Sequence, residues 1–157
     1  MDAHFDPGDR RLVLIDIENV VGGLVLHERA AGHARCSIEE AVGTRPMDQV
    51  VVATCHKGYP HVAWTWPSAR RLVRSGQDGA DLELLDVLDE EVADHFEHVV
   101  LVSGDGIFTD AVTALERSGV RVTIAARRGH LSGRLRLAAS EVVYLNGTWE
   151  AQERVAI

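Results

Sequence analysis

The chain has 157 residues, 46% of them hydrophobic and 25% charged, with a formal net charge of −8. This composition is typical of one globular domain with its own core, and it excludes a disordered or fibrous protein. The apolar runs are shorter than the roughly 20 residues of a membrane span, and the polar start MDAHFDPGDRR is not a secretory signal. We therefore expect a cytoplasmic protein with one domain at residues 11–146 and tails at 1–10 and 147–157.

The first half of the chain alternates between strand and helix patterns. The apolar run RLVLID, Arg11–Asp16, predicts a strand covered on both faces, and Val20–Ala31 are expected to contain a helix. Ser37 is the expected N-cap of a second helix, which Gly43 ends. The run QVVVATC, Gln49–Cys55, predicts a second buried strand.

The second half continues the alternation. Pro67 and Ser68 predict a short helical turn, and RRLVRS is interpreted as an edge strand. The clearest helix spans Ala80–Phe96, whose leucines recur at helical spacing on one face. The remaining elements are a strand in EHVVLV, a helix in IFTDAVTALERSG, a strand in VRVTIAA, a short helix in RLRLAAS and a last strand in EVVYL.

This order predicts an α/β fold of three layers, a mostly parallel sheet with helices on both faces. Such sheets bind ligands beyond the carboxyl ends of their strands, at the point where the strand order reverses. Asp16 ends the first strand and Asp105 follows the VVLVSGD strand, so their carboxylates face each other if these strands are neighbours. Glu18 is expected to point away, as alternation along an extended chain dictates.

Acidic residues follow three of the predicted elements, in the stretches IDIEN, SGQDGADLELLD and VSGDGIFTD. Each acid alone has an ordinary interpretation as a strand end, a helix N-terminal acid or a turn residue. Together they are expected on one edge of the sheet, where unpaired carboxylates repel one another. Because Mg²⁺ and Mn²⁺ prefer carboxylate oxygens and remove this repulsion, the pattern predicts a divalent cation site.

Three of these stretches also resemble a known family. VLIDIENV, GADLELLDVL and VVLVSGDGIFTDAVTALERSGVRVTIAA are similar to successive motifs of the NYN domain, a branch of the PIN-like metal-dependent ribonucleases, over Arg11–Leu145. The resemblance implies a sheet of order 3-2-1-4-5, to which EVVYL adds a short last strand. It also implies that Asp16, Asp81 and Asp105 are the metal-binding and catalytic carboxylates. Asn19 would orient Asp16 or a bound water, and Ser103 would fix the turn.

One position departs from the family pattern. Many members carry a second acid two residues after the aspartate of the Ser-Gly-Asp turn, where this chain has Ile107. Asp110 or Asp86 is the candidate to replace it. The resemblance implies hydrolysis of an RNA phosphodiester by a water that carboxylate-held Mg²⁺ or Mn²⁺ activates. The alternative is a catalytically weak or inactive PIN-like module that binds RNA or a protein partner.

Positive charge in this acidic chain is almost entirely arginine, since Lys57 is the only lysine. Arginine suits phosphate, although solvated surface arginines are an equally good interpretation of each one. His56 and Lys57 follow the second strand, on the same predicted edge as the acids. The candidate RNA-binding residues are therefore His56, Lys57, Arg70, Arg71, Arg127, Arg128 and Arg134.

The expected partner is RNA, single-stranded or structured, with no membrane and with pairing into a homodimer left open. Trp64 and Trp66 flank a threonine beside a proline and are interpreted as packing residues, with base stacking as the alternative. The stretch DHFEH, Asp94–His98, is expected on the surface at the opposite end of the sheet.

Overall fold

A six-stranded sheet forms the centre of the protein in the computed structural model, which describes residues 10–147. Its order is β3-β2-β1-β4-β5-β6, and each neighbouring pair is parallel. This confirms the predicted fold, including the short last strand. The strands are β1 Arg11–Asp16, β2 Gln49–Thr54, β3 Arg70–Val73, β4 His98–Val102, β5 Arg121–Arg127 and β6 Glu141–Leu145.

Helices cover both faces of the sheet, and the side chains of β1 show how. Leu12 and Leu14 point into one core and Val13 and Ile15 into the other, as alternation along a strand requires. The helices are α1 Ile17–Val21, α2 Glu28–Val42, α3 Tyr59–Thr65, α4 Gly79–Asp89, α5 Val92–His95, α6 Thr109–Arg117 and α7 Gly133–Ala138. The first three pack on the second core and the last four on the first. No helix within residues 10–147 is long and apolar enough to cross a membrane.

Strand β1 lies at the point where the strand order reverses. It pairs with β2 on one side, where Asp16 is opposite Ala53, and with β4 on the other, where Ile15 is opposite Val102. The chain leaves β1 toward β2 and β3 and later returns to β4 across the sheet. The carboxyl ends of β1 and β4 therefore form the crevice in which sheets of this type bind ligands.

The helix predictions around Ser37 and Pro67 need correction. Ser37 does not cap a helix, because it lies inside α2, where its Oγ donates to the Asn146 carbonyl oxygen at 2.7 Å. The cap of α2 is His27, whose Nδ1 accepts from the Ala30 N–H at 3.3 Å. Pro67 and Ser68 form only a turn, and the helix precedes them at Tyr59–Thr65.

The continuous helix predicted over Ala80–Phe96 is also wrong. It breaks after Asp89, because Glu90 adopts an extended conformation with φ −63° and ψ 155°. Leu84, Leu88 and Val92 still reach the same core from both pieces. The apolar periodicity survives the break, and the pattern therefore does not reveal it.

The amino ends of the central strands contain buried polar groups. Arg11, 4% exposed, donates from Nε and Nη2 to the Asp48 carboxylate at 2.9 and 2.7 Å. His98 is also buried, with Nε2 2.8 Å from Thr123 Oγ1, so the prediction that its stretch lies on the surface is wrong for this residue. Burial, followed by the charges of Arg121 and Arg11, lowers the pKa of His98 to about 4.

Candidate active site

A small cleft of about 160 Å³ opens at the carboxyl ends of β1 and β4, beside the start of α4. The three predicted acids, Asp16, Asp81 and Asp105, line this cleft. Two further acids and four small or amide residues complete the lining: Glu18, Asp78, Asn19, Gly76, Gly79 and Ala80. Within residues 10–147, no lysine or arginine is part of it. The cleft is therefore strongly anionic.

Asp16 ends β1 and at the same time caps α1. Its Oδ1 accepts from the Asn19 N–H at 3.4 Å, which is the side-chain bond that makes aspartate a preferred N-cap. Its Oδ2 accepts from the Ser103 hydroxyl at 2.8 Å. Only 2% of the residue is exposed. The cap and the hydroxyl hold this buried carboxylate in one orientation.

The Ser-Gly-Asp turn is bonded to α1 and to itself. Asn19 Oδ1 accepts from the Gly104 N–H at 2.9 Å, so the Asn19 side chain holds the turn while its main chain contacts Asp16. Ser103 Oγ accepts from the Asp105 N–H at 3.2 Å. Asp105 Oδ1 in turn accepts from the Ile107 N–H at 3.0 Å. These contacts fix where the Asp105 carboxylate stands.

The loop before α7 also packs on this turn, a contact that sequence reasoning missed. The Ser132 N–H donates to the Gly104 carbonyl oxygen at 2.9 Å. A Cβ at Gly104 would lie 1.8 Å from the His130 carbonyl oxygen, so only glycine fits here. No local pattern signals this contact, because the two segments are far apart along the chain. A glycine between two predicted site residues is the only hint.

Asp81 reaches the cleft from the first turn of α4 and contacts Asp16. In the protonated form it donates a hydrogen bond to the Asp16 carboxylate. Burial, and then the charge of Asp16, raises the pKa of Asp81 to about 8, with smaller contributions from Asp105 and Asp78. Burial raises the pKa of Asp16 as well, against the hydrogen bonds from Asp81, Ser103 and Asn19. Burial and mutual repulsion thus oppose the charging of both carboxyls at once.

The donor set determines which cations fit. Within residues 10–147, no group of three or more His, Cys, Asp or Glu side chains is arranged to hold a metal ion. A closed cage, such as a structural zinc site, is therefore not what these residues form. Mg²⁺ is commonly held by one or two carboxylates, several waters and a substrate phosphate. The buried pair Asp16 and Asp81, with Asp105 on the same cleft, fits a hydrated Mg²⁺ or Mn²⁺ of this kind.

Glu18 lies in the cleft, contrary to the expectation that it points away. That expectation extended strand alternation beyond Asp16, whereas α1 already begins at Ile17. Glu18 is therefore helical and lines the cleft, and its Oε1 accepts from the Cys55 N–H at 2.8 Å. It joins the cleft to the end of β2.

The candidates for the missing acid lie outside the cleft lining. Asp86 and Asp110 are both exposed, on α4 and in the first turn of α6. Ile107, at the position where the family often has an acid, is 37% exposed. The structure brings neither aspartate into contact with Asp16 or Asp81 in the way that it brings those two together.

The basic candidates divide between the two edges of the sheet. Arg70 and Arg71 stand at the amino end of β3, away from the acids. Arg70 forms an ion pair with Glu90 at 3.1 Å. Arg71 Nη1 donates to the carbonyl oxygens of Trp66 and Pro67 at 3.0 and 2.8 Å. The others lie at or beyond the carboxyl ends of β2 and β5: His56, Lys57, Arg127, Arg128 and, on α7, Arg134. Arg128 lies over the Tyr144 ring, 4.6 Å from its centroid. Arginine runs in the sequence do not reveal at which end of a strand they fall.

Comparison with known proteins agrees with the fold and identifies a family. The family model of the NYN domain matches residues 10–146. The crystal structure of a protein of unknown function from Vibrio parahaemolyticus has a TM-score of 0.57 to this chain at 19% sequence identity, covering 92% of this chain and 97% of that one. A likeness at this identity shows the fold alone. A comparison with curated proteins finds no match.

Proposed function

Since the chain belongs to the NYN domain family of PIN-like ribonucleases, we propose that it hydrolyses RNA phosphodiester bonds in its acidic cleft with Mg²⁺ or Mn²⁺. The observation that carries this proposal is the contact between Asp16 and Asp81, two buried carboxyls whose pKa values are both raised. A protein without a use for a cation gains nothing from placing these groups together, because their repulsion and desolvation cost free energy.

The chain's own residues have distinct roles in this proposal. Asp16 and Asp81 would hold the ion, and Asp105 faces the same cleft from a turn that Asn19, Ser103 and the loop before α7 fix in place. When bound, the ion supplies a water of lowered pKa and compensates charge on the phosphate oxygens. Asp105 Oδ1 is used by the turn, so its Oδ2 is the oxygen that would be available to orient a water in the cleft.

Cationic side chains along the carboxyl edge are placed where they could contact the RNA backbone. Cationic side chains flank the acids on both sides, with Lys57 after β2 and Arg127 and Arg128 at the end of β5. Neighbouring strands are about 4.8 Å apart, so the two groups are about 14 Å from each other across three strand steps. A backbone crossing the edge thus meets positive charge before and after the acids.

Cleavage of a labelled single-stranded RNA tests the proposal. We expect hydrolysis with Mn²⁺ or Mg²⁺ that EDTA stops, and Asp16→Asn or Asp105→Asn to reduce the rate by at least about 100-fold. Asp89→Asn is the matched control, since Asp89 is an exposed acid at the far end of the helix that carries Asp81. Cleavage in EDTA, or equal rates in the two cleft variants and the control, would contradict a metal-dependent mechanism.

The alternative function is a PIN-like module that binds RNA without cleaving it. The exposed Ile107 in place of an acid favours it. Salt-sensitive retention of RNA by the wild-type protein, with no hydrolysis in either ion, would establish this alternative instead.

A further inference from the structure

The carboxyl edge continues past the acids onto a surface formed by the loops after β2 and α1 and by the first residue of α3. We call this surface the β2 rim and define it by His56, Lys57, Tyr59, Leu24 and Leu26. All five residues are exposed. The proposed hydrolysis leaves the apolar members without a role.

Two contacts attach the β2 rim directly to the cleft. Glu18, which lines the cleft, accepts from the Cys55 N–H at 2.8 Å. On the other side, the His56 N–H donates to Ser75 Oγ at 3.2 Å, and its ring Nδ1 lies 2.6 Å from the same oxygen. Ser75 precedes Gly76, another residue of the cleft lining. The rim therefore begins where the cleft ends.

The apolar side chains of the rim are held outward by the packing beneath them. Val25 is fully buried, and a Cβ at Gly58 would lie 3.3 Å from the Val25 Cβ, so the two segments are in close contact. Leu24 and Leu26 on either side of Val25 are 48% and 61% exposed, and Tyr59 beside Gly58 is 37% exposed. Single exposed apolar residues are common, whereas here three of them stand on two segments that pack against each other beside the cleft.

The rim is also a site of positive charge in an acidic protein. Lys57 is the only lysine of a chain with net charge −8, and it stands next to His56 on the edge that carries the carboxylates. An aromatic ring with a cation beside it is the combination by which proteins bind unpaired nucleotides, since bases stack on the ring and phosphates contact the cation.

We propose that the β2 rim binds the nucleotides of single-stranded RNA adjacent to the phosphate in the cleft, with an unpaired base on the Tyr59 ring beside Leu24 and Leu26 and with Lys57 on the backbone. This inference rests on the proposed function and adds the surface on which the nucleotides next to the cleft are bound. Bases of a duplex are already paired and stacked and do not reach the ring, so the rim selects single-stranded RNA.

Binding of a fluorescein-labelled single-stranded RNA in Mn²⁺, followed by anisotropy, tests the rim. All proteins carry Asp105→Asn, which prevents cleavage during the measurement. We expect Tyr59→Ala to weaken binding roughly 5- to 100-fold, as for other base–aromatic contacts, and Tyr59→Phe to retain it. Trp64→Ala is the matched control, because Trp64 is 75% exposed on the same helix but is not part of the rim. Thermal melts verify that each variant is folded.

Two further measurements separate base contact from phosphate contact. An RNA with one abasic position under the ring should bind the Tyr59→Ala and parent proteins equally. Lys57→Gln should reduce the salt dependence of binding by about one released counterion, whereas Arg45→Gln, an exposed residue before β2 at the amino edge, should not.

The outcomes distinguish this inference from the proposed function. Unchanged RNA binding by Tyr59→Ala and Lys57→Gln would overturn the rim, even if the wild-type protein cleaves RNA. Rim-dependent binding without cleavage by the wild-type protein would support the rim and contradict the hydrolysis. Equal affinity for a duplex of the same sequence, or a loss of affinity in Trp64→Ala as large as in Tyr59→Ala, would also overturn it.

Discussion

The two ends of β1 each contain a buried charged residue, and the charges around these two residues differ. Arg11 at the amino end is 4% exposed, and Asp16 at the carboxyl end is 2% exposed. Arg11 is matched by the Asp48 carboxylate and donates to the Gly43 carbonyl oxygen at 2.6 Å. Asp16 instead meets Asp81 and the charge of Asp105. The Arg11 charge is neutralised within the chain, whereas the Asp16 charge lies among like charges, which is the arrangement that the proposed cation would compensate.

The largest loss of stability is expected when the carboxylate partner of Arg11 is removed. Asp48→Asn leaves the Arg11 guanidinium buried without a compensating charge, and we expect it to cost about 3–5 kcal/mol of unfolding free energy, roughly 10 °C or more in Tm. Urea and thermal melts measure the loss. Glu90→Gln is the control, since it breaks an ion pair with Arg70 whose side chains are 56% and 52% exposed and should cost less than about 1 kcal/mol. Similar losses of stability in both variants would show that the buried Arg11–Asp48 pair contributes no more than the exposed Arg70–Glu90 pair.

A divalent cation that binds at the carboxyl end of β1 should instead increase the stability of the protein. We expect Mn²⁺ or Mg²⁺ to stabilise the wild-type protein, by about 2.7 kcal/mol when the free ion reaches roughly 100 times its Kd. Thermal melts over a metal titration check this. Asp16→Asn and Asp81→Asn should lose most of the shift and Asp89→Asn should keep it. An equal shift in all four proteins would indicate binding elsewhere.

A smaller gain in stability is expected when the repulsion between Asp81 and Asp16 is removed by substitution in the absence of a metal. In EDTA near pH 7.5, Asp81→Asn should raise the unfolding free energy by roughly 1 kcal/mol, about 2–4 °C in Tm. The sign follows from the pKa of Asp81, about 8 in the folded protein against an ordinary 3.8. Between these values the folded state binds a proton that the unfolded state releases, so stability falls as pH rises. Asparagine cannot ionise and avoids this fall.

Melts of the wild type and of Asp81→Asn from pH 5 to 8.5 provide the measurement. The difference between the two proteins should grow with pH. Parallel profiles, or a variant less stable than the wild type at every pH, would mean that Asp81 is already compensated within the protein and that the contrast with Arg11 does not hold.

The grouping of the acids was predictable because it depends on topology more than on side-chain detail. Parallel strands place their carboxyl ends on one edge, so Asp16 and Asp105 meet once β1 and β4 are neighbours. The partner of Arg11 was accessible by the same logic, since Leu12 is opposite Gln49 and Asp48 is therefore beside Arg11. A buried arginine at the start of an apolar strand needs such an acid.

Other parts of the site depend on details that local patterns do not contain. Glu18 was misplaced because α1 begins one residue after β1 ends, and strand alternation stops there. The two arginines of β3 lie at its amino end, which composition does not indicate. The break at Glu90 is hidden because Leu88 and Val92 keep their helical spacing across it. The contact of the α7 loop with Gly104 joins segments that no short motif connects.

The bond from Ser103 to Asp16 joins residues 87 positions apart in the chain. The loop that packs on Gly104 comes later still, at His130–Ser132. During synthesis, β1 is made first but acquires its second neighbour and its hydroxyl partner only after β4 has been made. Long-range contacts of this kind form late because the intervening chain must be ordered first. A nascent chain that ends before β4 therefore lacks both the Ser103 hydroxyl that holds Asp16 and the Asp105 side of the cleft.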